Sequence, residues 1–236
     1  MTLTERQRKF ARDVGIIVIG VLLALGAEQI FRAFDNRQLA AEARATARVE
    51  ISKGLADLAL RKKAQPCVAN RLEEISKLIA TSDHKGFSAP TWIGRPAFSS
   101  FDSSGWDSAT QAGRTALLSD TERAGLGAIY SALHRLDALQ LQEQDVWAQL
   151  RQLEEAPQLD PLLRASVRSA LQQARLLSWH INSTVVQTKG AAARLGISAE
   201  PAFEGITSSV CMPTTTPRVA AVRRMNAIWK DDLGEP

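Results

Sequence analysis

Fourteen consecutive residues, Val14–Ala27 (VGIIVIGVLLALGA), carry no charge, no proline and no polar side chain. A stretch of this kind has to be kept from water, and it limits what the rest of the chain can be. As a helix it rises about 21 Å, short of the roughly 30 Å of a bilayer's hydrocarbon core. Nothing stops the helix at Ala27, however. Glu28 and Gln29 are followed by Ile30, Phe31 and Phe34, so a helix over 14–34 reaches about 30 Å with its polar pair near one end. From there Arg32 can snorkel toward headgroups.

A cleaved signal peptide is the competing reading. Arg6, Arg8, Lys9 and Arg12 make a fair charged start, and Ala24-Leu25-Gly26 is a small-x-small triplet. Against cleavage, no proline precedes Pro66 and no glycine falls between Gly26 and Gly54, so nothing opens the helix for a peptidase. The uncleaved anchor is therefore favoured. Four basic residues precede the apolar run, against Arg32 and Arg37 just after it, which keeps the N-terminus in the cytoplasm. The expected division is a cytoplasmic segment 1–13, a transmembrane anchor 14–34 and a helical periplasmic domain 35–236.

The outer part has the size and the 45% hydrophobic content of one globular unit. Its charge is nearly balanced. Of 29 basic and 25 acidic residues, five and three lie in 1–32, leaving 24 and 22 for the remainder. The pI near 9.3 thus gives no argument for nucleic acid as a partner. Cys67 and Cys211 are the two cysteines, and in an oxidising compartment a disulfide is the default expectation, with two free buried thiols as the alternative. Neither has a His or Cys beside it at ligand spacing, so no metal and no cofactor are expected.

The periodicity is helical nearly throughout. Ala40, Ala43, Ala47, Ile51, Leu55 and Leu58 step by three and four, extending the anchor helix outward until Pro66, which is expected to end it. A second helix carries Val68, Leu72, Ile75 and Ile79. Ser119-Asp120-Thr121-Glu122 is a capping box opening a helix with Leu126, Ile129, Tyr130, Leu133, Leu136, Trp147, Leu150 and Leu153, whose stripe Gln140, Glu143 and Gln144 interrupt. Asp160-Pro161 starts another, with Leu163, Val167, Leu171, Ala174, Leu177, Ile181 and Val185, ending at a glycine cap, Gly196. After a second long loop, Arg218–Lys230 forms a short helix on Val219, Val222 and Ile228. The fold expected is all-α: an N-terminal transmembrane helix continuing into an antiparallel bundle of about four helices with two long loops. A Cys67–Cys211 bond is met most economically if Asp83–Leu118 crosses to the far end. The Ser119 helix then runs back toward the membrane and the Pro161 helix outward.

The segment His84–Trp106 has no helical period, two prolines and three glycines, yet Phe87, Trp92, Phe98, Phe101 and Trp106 place five of the thirteen aromatics there. A disordered linker is poor in such residues, so this loop is expected to be ordered and to offer the candidate binding surface, or else to plug the open end of the bundle. Within the anchor, Gly20, Ala24 and Ala27 share one face, a candidate for self-association and so for a homodimer. Catalytic signatures are absent. His84, His134 and His180 show no ligand pairing beyond the single His134–Asp137 spacing, Glu73-Glu74 and Glu154-Glu155 are adjacent pairs that diverge on a helix, and no nucleophile elbow, zinc-protease, redox or nucleotide glycine motif occurs.

The segment Val18–Gln29 (VIGVLLALGAEQ) running into an alanine- and arginine-rich helix, with Trp106, Gly113 and Tyr130 at their spacing, resembles a group of uncharacterised bacterial single-pass inner-membrane proteins. The resemblance implies an N-terminal signal anchor, a helical periplasmic domain and no particular chemistry. The function expected is a membrane-anchored interaction module for an envelope protein or ligand, not an enzyme, with an envelope enzyme of unrecognised site as the alternative.

Overall fold

A computed structural model describes residues 5–201 and 208–233, with side chains placed over 16–82, 86–201 and 208–225. The fold is all-α. Its helices are α1 (Glu5–Lys85), α2 (Ser104–Gln111), α3 (Asp120–Leu150), α4 (Pro161–Arg194) and α5 (Arg218–Leu233), and no strand occurs among the described residues. The chain divides into two compact units, one made of 1–47 and 104–123, the other of 48–103 and 124–236.

The first unit holds the apolar helical stretch, and every described residue from Ile16 to Phe34 is exposed, Leu23 at 70% and Phe31 at 76%. This helix is long and apolar enough to cross a membrane. Beyond it Ala40, Ala43 and Ala47 are buried, as are Ala109 and Leu118. Arg44 grips Glu122 through two hydrogen bonds, Nη2 to Oε2 at 2.9 Å. Ser119 caps α3, its Oγ accepting from the Glu122 N–H at 3.3 Å.

In the second unit the helical stripes read from the sequence are the core: Ile51, Leu55, Leu58, Val68, Leu72, Ile75 and Ile79 on α1, Leu126 to Leu150 on α3, Val167 to Val185 on α4. Pro66 is the first correction. It lies inside α1, which continues to Lys85. A proline in a helix interior costs about 3 kcal/mol. Val68, Leu72, Ile75 and Ile79 continue the same stripe past it, and burying each contributes about 1.5–3 kcal/mol, so the unbroken helix wins. The ring itself faces solvent.

The second correction is direction. Tyr130 Oη donates to Glu50 at 2.6 Å and Arg61 pairs with Glu143, so α3 runs parallel to α1. Arg164 donates to the Ile79 carbonyl at 2.9 Å, Gln65 to Ser178 at 2.8 Å and Arg48 to the Leu195 carbonyl at 3.1 Å, so α4 runs antiparallel to both. The expected crossover had the Ser119 and Pro161 helices the other way round. With α1 continuous to Lys85, it is the loop 86–103 that returns along the bundle, its Pro96, Ser99 and Phe101 meeting Gln144, Gln140 and Asp137 in turn. Phe101 lies on Gly54, where a β-carbon would come within 2.8 Å of its ring. A third correction concerns α5. Among its described side chains Ala221 is the buried one, packed with Trp92 and Met212, whereas Val219 and Val222 are exposed. Ile228 lies outside the described side chains.

Candidate functional site

The loop that follows α4 climbs along α1: Glu200 N–H bonds to the Ser52 carbonyl, while Met212 has reached Arg71. There it meets the first loop, antiparallel to it. Trp92 N–H donates to the Thr214 carbonyl at 3.0 Å, Val210 N–H to the Arg95 carbonyl at 3.2 Å, and Ala97 N–H to Ser208 Oγ at 3.0 Å. Two segments without helical period thus satisfy each other's backbones.

Three devices hold this pair on the helices. The Cys67–Cys211 disulfide forms, with the Cα atoms 5.0 Å apart, tying the second loop to α1. Arg71, 3% exposed, donates to the carbonyls of Trp92, Ile93 and Met212 and to Glu74, so one guanidinium joins both loops. Burial pushes that guanidinium below its ordinary value and Glu74 opposes the shift. Gly94 adopts φ 71°, and a β-carbon there would lie 2.5 Å from the Ser209 carbonyl oxygen, so only glycine lets the two loops approach. Glu154 adds an acceptor for the Ile93 N–H at 2.7 Å, and Arg151 sits 5.8 Å above the Trp92 ring.

Between the end of α1 and the rims of these loops is an open groove of about 510 Å³. Ile75, Leu78, Pro90 and Ile93 form its apolar floor; Thr81, Ser88, Thr91, Thr214 and Thr215 supply hydroxyls, and Glu74 and Lys77 stand at its edge. This is within the size range of small-ligand and peptide sites, with mixed lining.

The four singled-out aromatic residues of the second unit, Phe87, Trp92, Phe98 and Phe101, do not form one surface. Trp92 is 3% exposed and donates through Nε1 to the Ser209 carbonyl; it is core. Phe87 packs half-buried on the core, Phe101 stacks against Tyr130 and His134, and Trp106 is half-buried on α2 in the other unit. Phe98, 43% exposed, alone among the five faces solvent. Gly20, Ala24 and Ala27 are all exposed, and nothing approaches a β-carbon at Gly20 within 4 Å. Of the histidines, His134 abuts Phe101, His180 abuts Trp179, and the side chain of His84 lies outside the described residues. No group of three metal-ligating side chains occurs among the described residues.

Sequence reasoning missed a polar layer across the middle of the bundle. Arg61 and Glu143, 3% and 0% exposed, pair at 2.7 Å; Arg61 also donates to Gln65 at 2.9 Å, and Gln65 to Ser178 on α4. Burial raises the Glu143 carboxyl and Arg61 opposes it. The signal was the run Gln140, Glu143, Gln144 in an otherwise apolar stripe. One turn away Asp57 and Asp137 line a cavity of about 10 Å³. Burial raises both carboxyls; Asp137 adds to the shift at Asp57, and the Phe101 N–H and His134 counter it at Asp137. That space is the size of one water, too small for a substrate.

Comparison with protein-family models, curated proteins and solved structures finds no match to this chain.

Proposed function

We propose that this protein is a membrane-anchored binding module. In this reading it is a single-pass protein of a bacterial inner membrane with its N-terminus in the cytoplasm, and it presents the loop-rimmed groove to an envelope protein or ligand in the periplasm. One observation carries the reading: the groove's walls are built from two irregular loops, yet a disulfide, a buried arginine and a glycine-dependent close approach immobilise them. Rigid loops on a helical scaffold lose little entropy when a ligand orders against them. The unburied apolar helix supports the anchor, the basic residues before it support the orientation, and the disulfide supports an oxidising compartment.

A photo-crosslinking amino acid at Thr91 of the full chain in its native membrane tests the groove, with the same group at the exposed Gln142 on α3 as the control. A discrete adduct from Thr91, lost when Ala89→Trp fills the groove, is expected. An adduct that survives Ala89→Trp, or none from Thr91, removes the groove as the site.

A further inference from the structure

The polar layer between α1 and α3 is not closed by protein atoms. Four buried side-chain atoms in it have no hydrogen-bond partner among the described residues: Arg61 Nε, Glu143 Oε2, Gln144 Oε1 and Trp147 Nε1. The four residues are neighbours. Glu143, Gln144 and Trp147 are spaced by one, three and four residues and share one arc of α3. Arg61 reaches that arc from α1 through its 2.7 Å bond to Glu143. Arg61, Glu143 and Trp147 are 3%, 0% and 0% exposed, so bulk solvent does not serve them.

Nearby side chains do not supply the missing partners. Gln140, on the same arc, commits both ends of its amide to Ser99, donating to its carbonyl at 3.3 Å and accepting its N–H at 3.4 Å. Gln65 accepts from Arg61 at 2.9 Å and donates to Ser178 at 2.8 Å. Turning the Gln144 amide over does not help. Its Nε2 already donates to the Pro96 carbonyl at 3.1 Å, and an oxygen in that place would face an oxygen.

The four atoms define what completes them. Two are N–H donors, two are acceptors, and the charges of Arg61 and Glu143 cancel across their bond. A cation would face the two N–H groups, and an anion would face the carboxylate. Water, which donates twice and accepts twice, suits all four. We infer that the polar layer binds ordered water, held between Arg61 Nε, Glu143 Oε2, Gln144 Oε1 and Trp147 Nε1. A buried water makes about three hydrogen bonds and needs about 10–15 Å³. One turn along α3, the cavity of about 10 Å³ at Asp137 and Gln140 is already of that size. The water joins the Arg61–Glu143 pair to Gln144 and, through Pro96, to the returning loop. This site depends on neither the groove nor the anchor.

The test is the nuclear Overhauser effect from water to the tryptophan indoles of the full chain in detergent micelles. Water held for longer than the particle tumbles gives a strong cross-peak, whereas fast-exchanging surface water gives a weak one. The Trp147 indole, assigned by its loss in Trp147→Phe, should show at least threefold the cross-peak of Trp179, which is 63% exposed. Trp92, also buried but bonded to the Ser209 carbonyl, should show none. Gln144→Met, close in volume and without the acceptor, should lower the Trp147 cross-peak at least threefold, with circular dichroism unchanged. A Trp147 indole as silent as Trp92 overturns the proposal, whatever the variant does. So does a cross-peak indifferent to Gln144→Met. A cross-peak present at about pH 6 and lost at about pH 8 comes from a proton on Glu143, and overturns it too.

Discussion

Replacing Arg61 by alanine leaves Glu143, a fully buried carboxylate, without its cation, and removes the Nη1 donor to Gln65. Breaking one side of a buried ion pair costs about 3–5 kcal/mol, since the remaining charge is neither solvated nor paired. At about 2–4 °C per kcal/mol for a chain of this size, the melting temperature should fall by roughly 6–20 °C. Glu143 can limit the loss by taking a proton, and burial already raises its carboxyl in that direction. Removing both charges at once with Arg61→Met and Glu143→Leu is expected to leave stability within about 1 kcal/mol of the parent, because apolar replacements of similar volume avoid the desolvation cost. Urea unfolding of the detergent-solubilised chain, followed by tryptophan fluorescence for the parent, both single variants and the pair, gives the coupling energy directly. A single substitution costing less than about 1 kcal/mol would refute a stabilising role for the buried pair, as would a double variant no better than the worse single one.

Trp92→Ala should cost about 3–5 kcal/mol and Phe98→Ala under about 0.5 kcal/mol in the same assay, since one ring is core and the other faces solvent. Gly94→Ala should cost about 1–3 kcal/mol and loosen the groove, read as faster hydrogen exchange over 88–97. Asp57→Asn should stabilise the chain at pH 7 by about 0.5 kcal/mol, the scale of a screened surface-near pair. The raised Asp57 carboxyl favours its protonated form in the folded state, so its ionisation costs stability above the ordinary carboxylate range. The gain from asparagine should therefore vanish as the pH falls below about 4, where the parent carboxyl is neutral in both states.

What was legible in the sequence was local. The stripe from Ala40 to Leu58, the Ser119 and Asp160 caps, the Gly196 stop and the pairing of Cys67 with Cys211 each follow from a few neighbouring residues or from two cysteines in one compartment. Pro66 misled because its cost is local and certain, while the burial that outweighs it is spread over Val68 to Ile79. That one boundary then reversed the directions assigned to α3 and α4. The groove was illegible for another reason. Arg71 meets Met212 across 141 positions, and the two loops pair through backbone atoms that leave no mark in side-chain periodicity. Trp92 and Phe98 look alike in sequence; only the partner loop decides which is buried.

In the proposed function the chain is anchored and its two loops fold in an oxidising compartment. Membranes prepared without reductant, washed with alkaline carbonate and treated with a mass-shifting maleimide test both parts together. The chain is expected to stay with the membrane, to take no label until reduced, and to yield a Cys67–Cys211 cross-linked peptide on non-reducing digestion. A chain released by carbonate, or one labelled at both cysteines before reduction, would contradict the proposed function.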